Sequence, residues 1–224
     1  MRISLAMIVC NGEAFLEEAL DSLYQQTRPP DEIIVWDDGS TDSTPSILTS
    51  HQERIRMIQG GKNQGPLLAR RSVVEAAFHQ NIAFLDSDDR LHPEALAAFS
   101  AAASESSGID LHFGKMRNFY DASISTAREE QMGPWIHGRT NGNLFAKKEA
   151  FLAASHAAEN AERSEFVSWY QACKRLELRE LQIDAPILER RIHQSNASRH
   201  PETKREMIHL LKKHLDKKRG LANE

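Results

Sequence analysis

The sequence predicts an α/β fold in which a mostly parallel sheet is covered by helices. Apolar runs of strand length recur through the first half of the chain, each is followed by residues at helical spacing, and the two patterns alternate. Repeated strand–helix units of this size build parallel sheets, because a parallel crossover needs a covering helix. The 224 residues suffice for one sizeable domain, or one domain with a small appendage.

The elements follow in order. Ile3 to Val9 is apolar without interruption, as expected of a strand buried on both faces. Asn11-Gly12 breaks it. Phe15, Leu16, Ala19, Leu20 and Leu23 then recur at helical spacing until Thr27-Arg28-Pro29-Pro30 stops the helix. Glu32 to Trp36 is a second strand, running into Asp37-Asp38-Gly39-Ser40-Thr41-Asp42, and a helix follows to about Thr49. Ile55 to Ile58 is a short third strand. Gly60-Gly61 and Asn63-Gln64-Gly65 form a loop, and Pro66 opens a helix from Leu67 to Phe78, a position where its missing N–H is no loss. Ile82 to Leu85 is a fourth strand ending in Asp86-Ser87-Asp88-Asp89. Pro93 to Ala103 is an alanine-rich helix, and Asp110 to Phe113 a further strand.

The second half is less regular. Arg117 to Gly142 reads as a long loop or hairpin region. Lys147 to Ala158 and Glu165 to Leu176 are helices, the latter with Phe166, Trp169, Tyr170 and Cys173 on one side. Two short strands flank Asp184-Ala185-Pro186, and Ser195 to Pro201 is loop. Thr203 to Arg219 is a basic amphipathic helix with Met207, Ile208, Leu211 and Leu215 as its apolar stripe.

Composition narrows the function classes. With 40% hydrophobic and 27% charged residues and a formal net charge of -4, nothing global points to nucleic acid as a partner. Cys10 and Cys173 make no metal spacing and no CxxC pair; two buried, reduced thiols and a cytoplasmic compartment fit them. The apolar start, Met1 to Val9, has no small-residue cleavage site after it and reads as a strand. No run approaches the roughly 18 apolar residues of a membrane span. Asn196-Ala197-Ser198 matches a glycosylation sequon, without consequence in a cytoplasmic protein.

The chemistry collects at the ends of strands, the rim where open α/β sheets bind ligands. In Asp86-Ser87-Asp88-Asp89, positions i and i+2 share a face in an extended chain, which aims Asp86 and Asp88 at one point. Crowded carboxylates repel unless a cation joins them, and Mg²⁺ or Mn²⁺ bridging to phosphate oxygens is the natural partner. The plain structural alternative is an acidic turn capping the next helix. Asp37-Asp38-Gly39-Ser40-Thr41-Asp42 offers acids that can accept from a base N–H or ribose hydroxyls; turn formation and capping explain it equally. After Asn63-Gln64-Gly65, an arginine of Ala69-Arg70-Arg71 can face nucleotide, or simply solvent.

Taken together, the segments from Leu5 to about Leu96 resemble glycosyltransferase family 2. Ile33-Ile34-Val35, Asp37 to Asp42, Asn63 to Gly65, Ala69-Arg70 and Phe84 to Asp89 occur in the family's order and spacing. The resemblance implies a GT-A-type, Rossmann-like fold and an inverting transferase with a nucleotide-sugar donor, UDP-linked in many members, and a divalent metal, Mn or Mg. It places Asn11, Asp37, Asp38, Arg70, Asp86 and Arg191 around the donor, and Asp86, Asp88 and His193 at the metal. His193 and the neighbouring Arg190-Arg191 belong to Arg190-Arg191-Ile192-His193-Gln194-Ser195-Asn196-Ala197-Ser198, which is similar to an Arg-x-His-x-x-Asn-x-Ser segment of the family. Glu165 aligns with the family's catalytic base at the start of a late helix, where a carboxylate can take the acceptor proton. Two departures stand out: Val9-Cys10-Asn11 lacks the family's Pro and Tyr, and Ser164-Glu165 replaces Glu-Asp.

The resulting layout is a GT-A domain over 1–200, with a nucleotide-sugar half (1–115) and an acceptor half (116–200), followed by a helical extension over 201–224. The acceptor, a saccharide, lipid-linked or peptide hydroxyl, is expected over the Arg117 to Gly142 region and the late helix. The basic helix 203–219 offers a peripheral contact with the inner face of a membrane, or packs on its own domain. A non-catalytic relative that binds a nucleotide or a partner is the alternative from another class. A nucleotidyltransferase is disfavoured, since Cys10-Asn11-Gly12-Glu13 is no Gly-rich phosphate loop.

Overall fold

The structure, a computed structural model, describes residues 1–121, 132–158 and 165–194 together with Asn196, Glu202 and Arg205. Its strands are β1 (Ile3–Val9), β2 (Glu32–Asp37), β3 (Arg56–Gln59), β4 (Asn81–Asp86), β5 (Arg90–Leu91), β6 (Leu111–Tyr120), β7 (Ile136–His137), β8 (Leu144–Lys147) and β9 (Glu180–Ile192). The helices are α1 (Leu16–Tyr24), α2 (Thr44–Ser50), α3 (Pro66–Ala76), α4 (Ala95–Glu105), α5 (Lys148–Ala157) and α6 (Glu165–Arg175). One 9-stranded sheet runs in the order β3-β2-β1-β4-β8-β6-β9-β5, with β7 paired to β6.

The parallel core expected from the sequence is β3-β2-β1-β4, each pair in register. Alternation along β1 divides the interior. Ile3, Leu5, Met7 and Val9 face a core shared with α1 and α4, whereas Ala6 joins Val73, Val74, Phe151 and Trp169 on the opposite face. Both faces are therefore covered, which is why these strands read as continuous apolar runs. The chain leaves β1 toward β2 and β3, then returns across it to β4. That reversal opens a crevice at the carboxyl ends of β1 and β4.

The second half departs from the sequence reading. The strand expected over Asp110 to Phe113 continues to Tyr120, because β9 pairs along it in parallel, from Leu111↔Glu180 to Tyr120↔Ile192. The two short strands expected around Asp184-Ala185-Pro186 are one, and Pro186 is accommodated where the register shifts on either side of Lys115. Gly114 lies at the first shift. A Cβ there would sit 1.9 Å from Ile187 Cγ1, so only glycine lets the strands approach. β5, β7 and β8 carry too few residues for a periodic signal. Most of the helix expected over 203–219, and Ser164, lie outside the described residues. No helix among the described residues is long and apolar enough to cross a membrane.

Candidate active site

Three loops meet at the rim above β1, β2 and β4. Asn11, in the left-handed region at φ 55, receives the Thr41 N–H on Oδ1 at 2.8 Å, and its own N–H donates to Ser40 Oγ at 2.9 Å. Glu13 N–H donates to Asp42 Oδ2, while Ser43 N–H donates to Glu13 Oε2. Asp37 is buried and accepts from Ser40 N–H at 2.9 Å. Asp38, also buried, accepts the Trp36 indole N–H on Oδ1 at 3.3 Å and the Gln64 and Gly65 N–H groups on Oδ2 at 3.1 Å each. Gly65 stands at φ 88, a left-handed conformation that glycine adopts without strain, and it aims its N–H at Asp38 as α3 begins. Asp38 and Asp42 thus bind the turns to one another, while Asp37 closes its own. Cys10 is exposed beside Asn63, whose Nδ2 lies 3.3 Å from its sulfur, so the expected buried pair of thiols holds only for Cys173. Burial pushes the Cys173 thiol up to about 12.

Asp86 and Asp88 do not aim at a single point. β4 ends at Asp86, and the Asp89 N–H donating to the Asp86 carbonyl closes a turn, so the alternation of an extended chain stops there. Asp86 Oδ1 receives Arg70 Nη2 at 2.5 Å. Asp88 Oδ2 instead lies 3.0 Å from His193 Nε2 and receives Asn196 Nδ2 at 3.3 Å. Among the described residues no group of three or more His, Cys, Asp or Glu converges as a ready metal cage. Asp88 and His193 nonetheless form a carboxylate–imidazole pair, to which phosphate oxygens and water can add the remaining ligands, the habit of hard divalent ions at diphosphates.

Arg70 is buried on α3 and reaches two elements at once. Nη2 meets Asp86, and Nη1 donates to Glu165 Oε1 at 2.7 Å, at the first turn of α6. Burial alone would lower the Arg70 pKa, but the Asp86 and Glu165 carboxylates outweigh it and raise it. Asn141, buried in the loop before β8, adds a donor to the same Glu165 oxygen at 3.4 Å.

Arg191 is enclosed. Its guanidinium lies between the rings of Phe15 and Phe119, 4.6 and 4.5 Å from their centroids, and pairs with Glu18 and, at 3.5 Å, with Asp121. Its Nε donates to the Asp88 carbonyl at 3.0 Å and its backbone N–H to Asp89 Oδ1 at 2.8 Å. The arginine expected at phosphate therefore braces the loop that carries Asp88. Asp89 is buried there, and its carboxyl is raised well above the usual range, first by burial and then by the Asp88 and Asp86 charges. His193 packs its ring on Phe15 at 4.7 Å. Phe15, Glu18 and Asn141 escape sequence reasoning, and Asp89 is legible only as part of its acidic turn. The first three look like ordinary helix or loop residues until the fold brings Arg191, His193 and Glu165 against them.

The fold and this carboxylate-lined rim define a GT-A-type α/β domain. The model of glycosyl transferase family 2 matches residues 4–157, and the chain belongs to that family. It is 33% identical over 140 residues, 60% of its own length, to the poly(ribitol-phosphate) beta-glucosyltransferase of Bacillus spizizenii, of which it covers 22%. The chain thus spans about a fifth of that relative. Among solved structures it resembles S. aureus TarS 1-349 in complex with UDP-GlcNAc, with TM-score 0.69 and 18% identity over 94% of this chain and 65% of that one. The mannosyltransferase PcManGT of Pyrobaculum calidifontis, in complex with GDP-Man and Mn2+, gives a TM-score of 0.63 at 17% identity over 88% of this chain and 58% of that one. At such identities the likeness shows the fold.

Proposed function

We propose that this chain carries the donor site and catalytic base of an inverting glycosyltransferase, moving a sugar from a nucleotide-diphosphate donor, a UDP-sugar, to an acceptor hydroxyl with the help of a divalent metal. The observation that carries the reading is the meeting of Asp86, from the donor rim, with Glu165, from the far half of the chain, on one arginine. The named ligands of the structural neighbours, UDP-GlcNAc in one and GDP-Man with Mn2+ in another, support a nucleotide-sugar donor and a metal.

Glu165 takes the proton of the acceptor hydroxyl as its oxygen attacks the anomeric carbon. The bond from that carbon to the diphosphate breaks, giving an inverted glycoside and a nucleoside diphosphate. Asp88 and His193 would hold a divalent ion, which would neutralise charge on the departing diphosphate, while Asp86 is engaged by Arg70. The imidazole favours a transition metal such as Mn²⁺ over Mg²⁺. Arg191 and Asp89 keep the Asp88 loop in place. Residues 1–115 serve the donor and 116–200 the acceptor, a saccharide, lipid-linked or peptide hydroxyl. The basic segment 203–219 is assigned to a peripheral membrane surface, consistent with a cytoplasmic enzyme.

The test is UDP release from UDP-glucose and UDP-N-acetylglucosamine with Mn²⁺, alongside thermal stability in UDP. Glu165→Gln is expected to lower turnover about 10²- to 10⁴-fold with UDP binding intact. Asp88→Ala is expected to abolish the Mn²⁺-dependent rise in melting temperature. Wild-type protein that neither binds UDP, GDP and related diphosphates nor releases them from their sugars would refute the reading.

A further inference from the structure

We infer that Arg70, assisted by Asn141, is a positioning residue for the base, fixing Glu165 by one oxygen and presenting the other to the acceptor. The inference rests on the reading of Glu165 as the base and deepens it. The motif around Arg70 points to nucleotide, but its guanidinium is engaged elsewhere. Nη1 binds Glu165 Oε1 and Nη2 binds Asp86 Oδ1, with the Arg70 side chain 9% exposed. Asn141 Nδ2 approaches the same Oε1 at 3.4 Å. Oε1 is thus claimed twice, whereas Oε2 receives no hydrogen bond from a described residue. A carboxylate gripped at one oxygen cannot rotate freely about its last torsion, so the unclaimed oxygen points in a defined direction.

The geometry also explains why an arginine stands here. A planar guanidinium offers two Nη donors at a fixed separation and angle, and it thereby sets the distance between a β4 carboxylate and an α6 carboxylate. An ammonium is a single point charge. It can neutralise either acid but cannot hold both in one plane. Glu165 begins its helix 95 residues after Arg70. Packing of Trp169 with Val73 and Val74 brings α6 beside α3, and the arginine then sets where the carboxylate itself stands.

The experiment uses the full chain with UDP-glucose and UDP-N-acetylglucosamine in Mn²⁺, comparing wild type, Arg70→Lys, Arg70→Met and Asn141→Ala. Turnover is read by UDP release, and UDP affinity by calorimetry. A misplaced base lowers turnover without touching the nucleotide. Both Arg70 variants are therefore expected to lose about 10²-fold in kcat, and Asn141→Ala several-fold, while UDP affinity stays within about threefold. Retention of charge in Arg70→Lys should not rescue kcat. A fall in UDP affinity parallel to the fall in kcat would overturn the inference and assign Arg70 to the nucleotide, as would wild-type kcat in Arg70→Lys. Asn141→Ala leaves the Arg70–Asp86 pair in place, so it keeps the test decisive if the Arg70 variants fail to fold; unchanged kcat there, in a folded protein, also counts against the inference. Wild-type protein that releases no UDP from either sugar refutes the proposed function itself, and the inference with it. Activity in wild type and in Glu165→Gln alike refutes the base.

Discussion

The β3-β2-β1-β4 half of the sheet and the half built on β6, β8 and β9 bury their strands in different ways. In the first, neighbouring strands run parallel in unbroken register, and a helix covers each connection. In the second, β6 and β9 pair across a long stretch of chain, with register shifts around Lys115. The polar residues follow the same division. Asn11, Asp37, Asp38 and Asp42 belong to the recognisable motifs; Asn11, Asp38 and Asp42 are each bonded to a neighbouring turn, and Asp37 closes its own. Glu165, Arg191 and His193 have weaker motifs, and they arrive by long-range pairing to touch Arg70, the Asp88 loop and Asp88 itself. A strong local motif here marks a rigid rim, and the distant residues complete the chemistry.

The sharpest way to break that comparison is at Asp38. If its carboxylate chiefly builds the rim, Asp38→Ala orphans the Trp36 and Gln64 donors, leaves the Gly65 N–H only Asn63 Oδ1, and destabilises the protein by about 2 kcal/mol, read as a fall in the urea midpoint. An unchanged midpoint with loss of UDP binding would show the carboxylate reserved for ligand instead.

At the other half the weak point is packing. Gly114→Ala sets a methyl group against buried Ile187, and a loss of about 2 kcal/mol is expected. Combining it with Ile187→Ala should cost less than the sum of the single changes, since the added methyl then enters the space vacated. Strict additivity would mean that the β6/β9 approach is not limited by this contact.

These two sites also explain what could be read from sequence. The parallel core was legible because its signals are local. Ile3 to Val9 is apolar throughout, and Asp37 to Asp42 carries its own turn chemistry. Burial on both sheet faces and a covering helix leave little else for such a stretch to be. The extent of β6 beyond Phe113 was not legible, because Arg117, Asn118 and Tyr120 are extended only through pairing with Glu189, Arg190 and Ile192. Pro186 suggested a break between two strands, yet a register shift absorbs it. The divergence of Asp86 and Asp88 was hidden for the opposite reason: spacing says that i and i+2 share a face only while the strand lasts, and β4 stops at Asp86. Glu165 could be placed at a helix start but not beside Arg70, since nothing in either segment encodes the other.

The smallest expected effect compares a carboxylate clasp in each half. Glu32 receives Ser4 Oγ, the Phe78 N–H and Arg56, and its side chain is 6% exposed; Glu180, at 18%, receives Tyr170, Arg139 and Lys174, and these two cations are more exposed than Arg56. Burial works to raise both carboxyls, but these donors outweigh it and hold both below the ordinary value of 4.5. A carboxyl lowered in the folded state stabilises above its unfolded value, and that contribution is lost as pH falls through the folded value. Glu32→Gln should therefore cost about 1 kcal/mol at pH 7, and its melting temperature should converge on wild type in acid. Glu180→Gln should cost less, because exposed partners are screened, and salt should erase more of its effect than of the Glu32 effect. Equal losses at both sites, unaffected by salt, would mean that the second half holds its charges as tightly as the first.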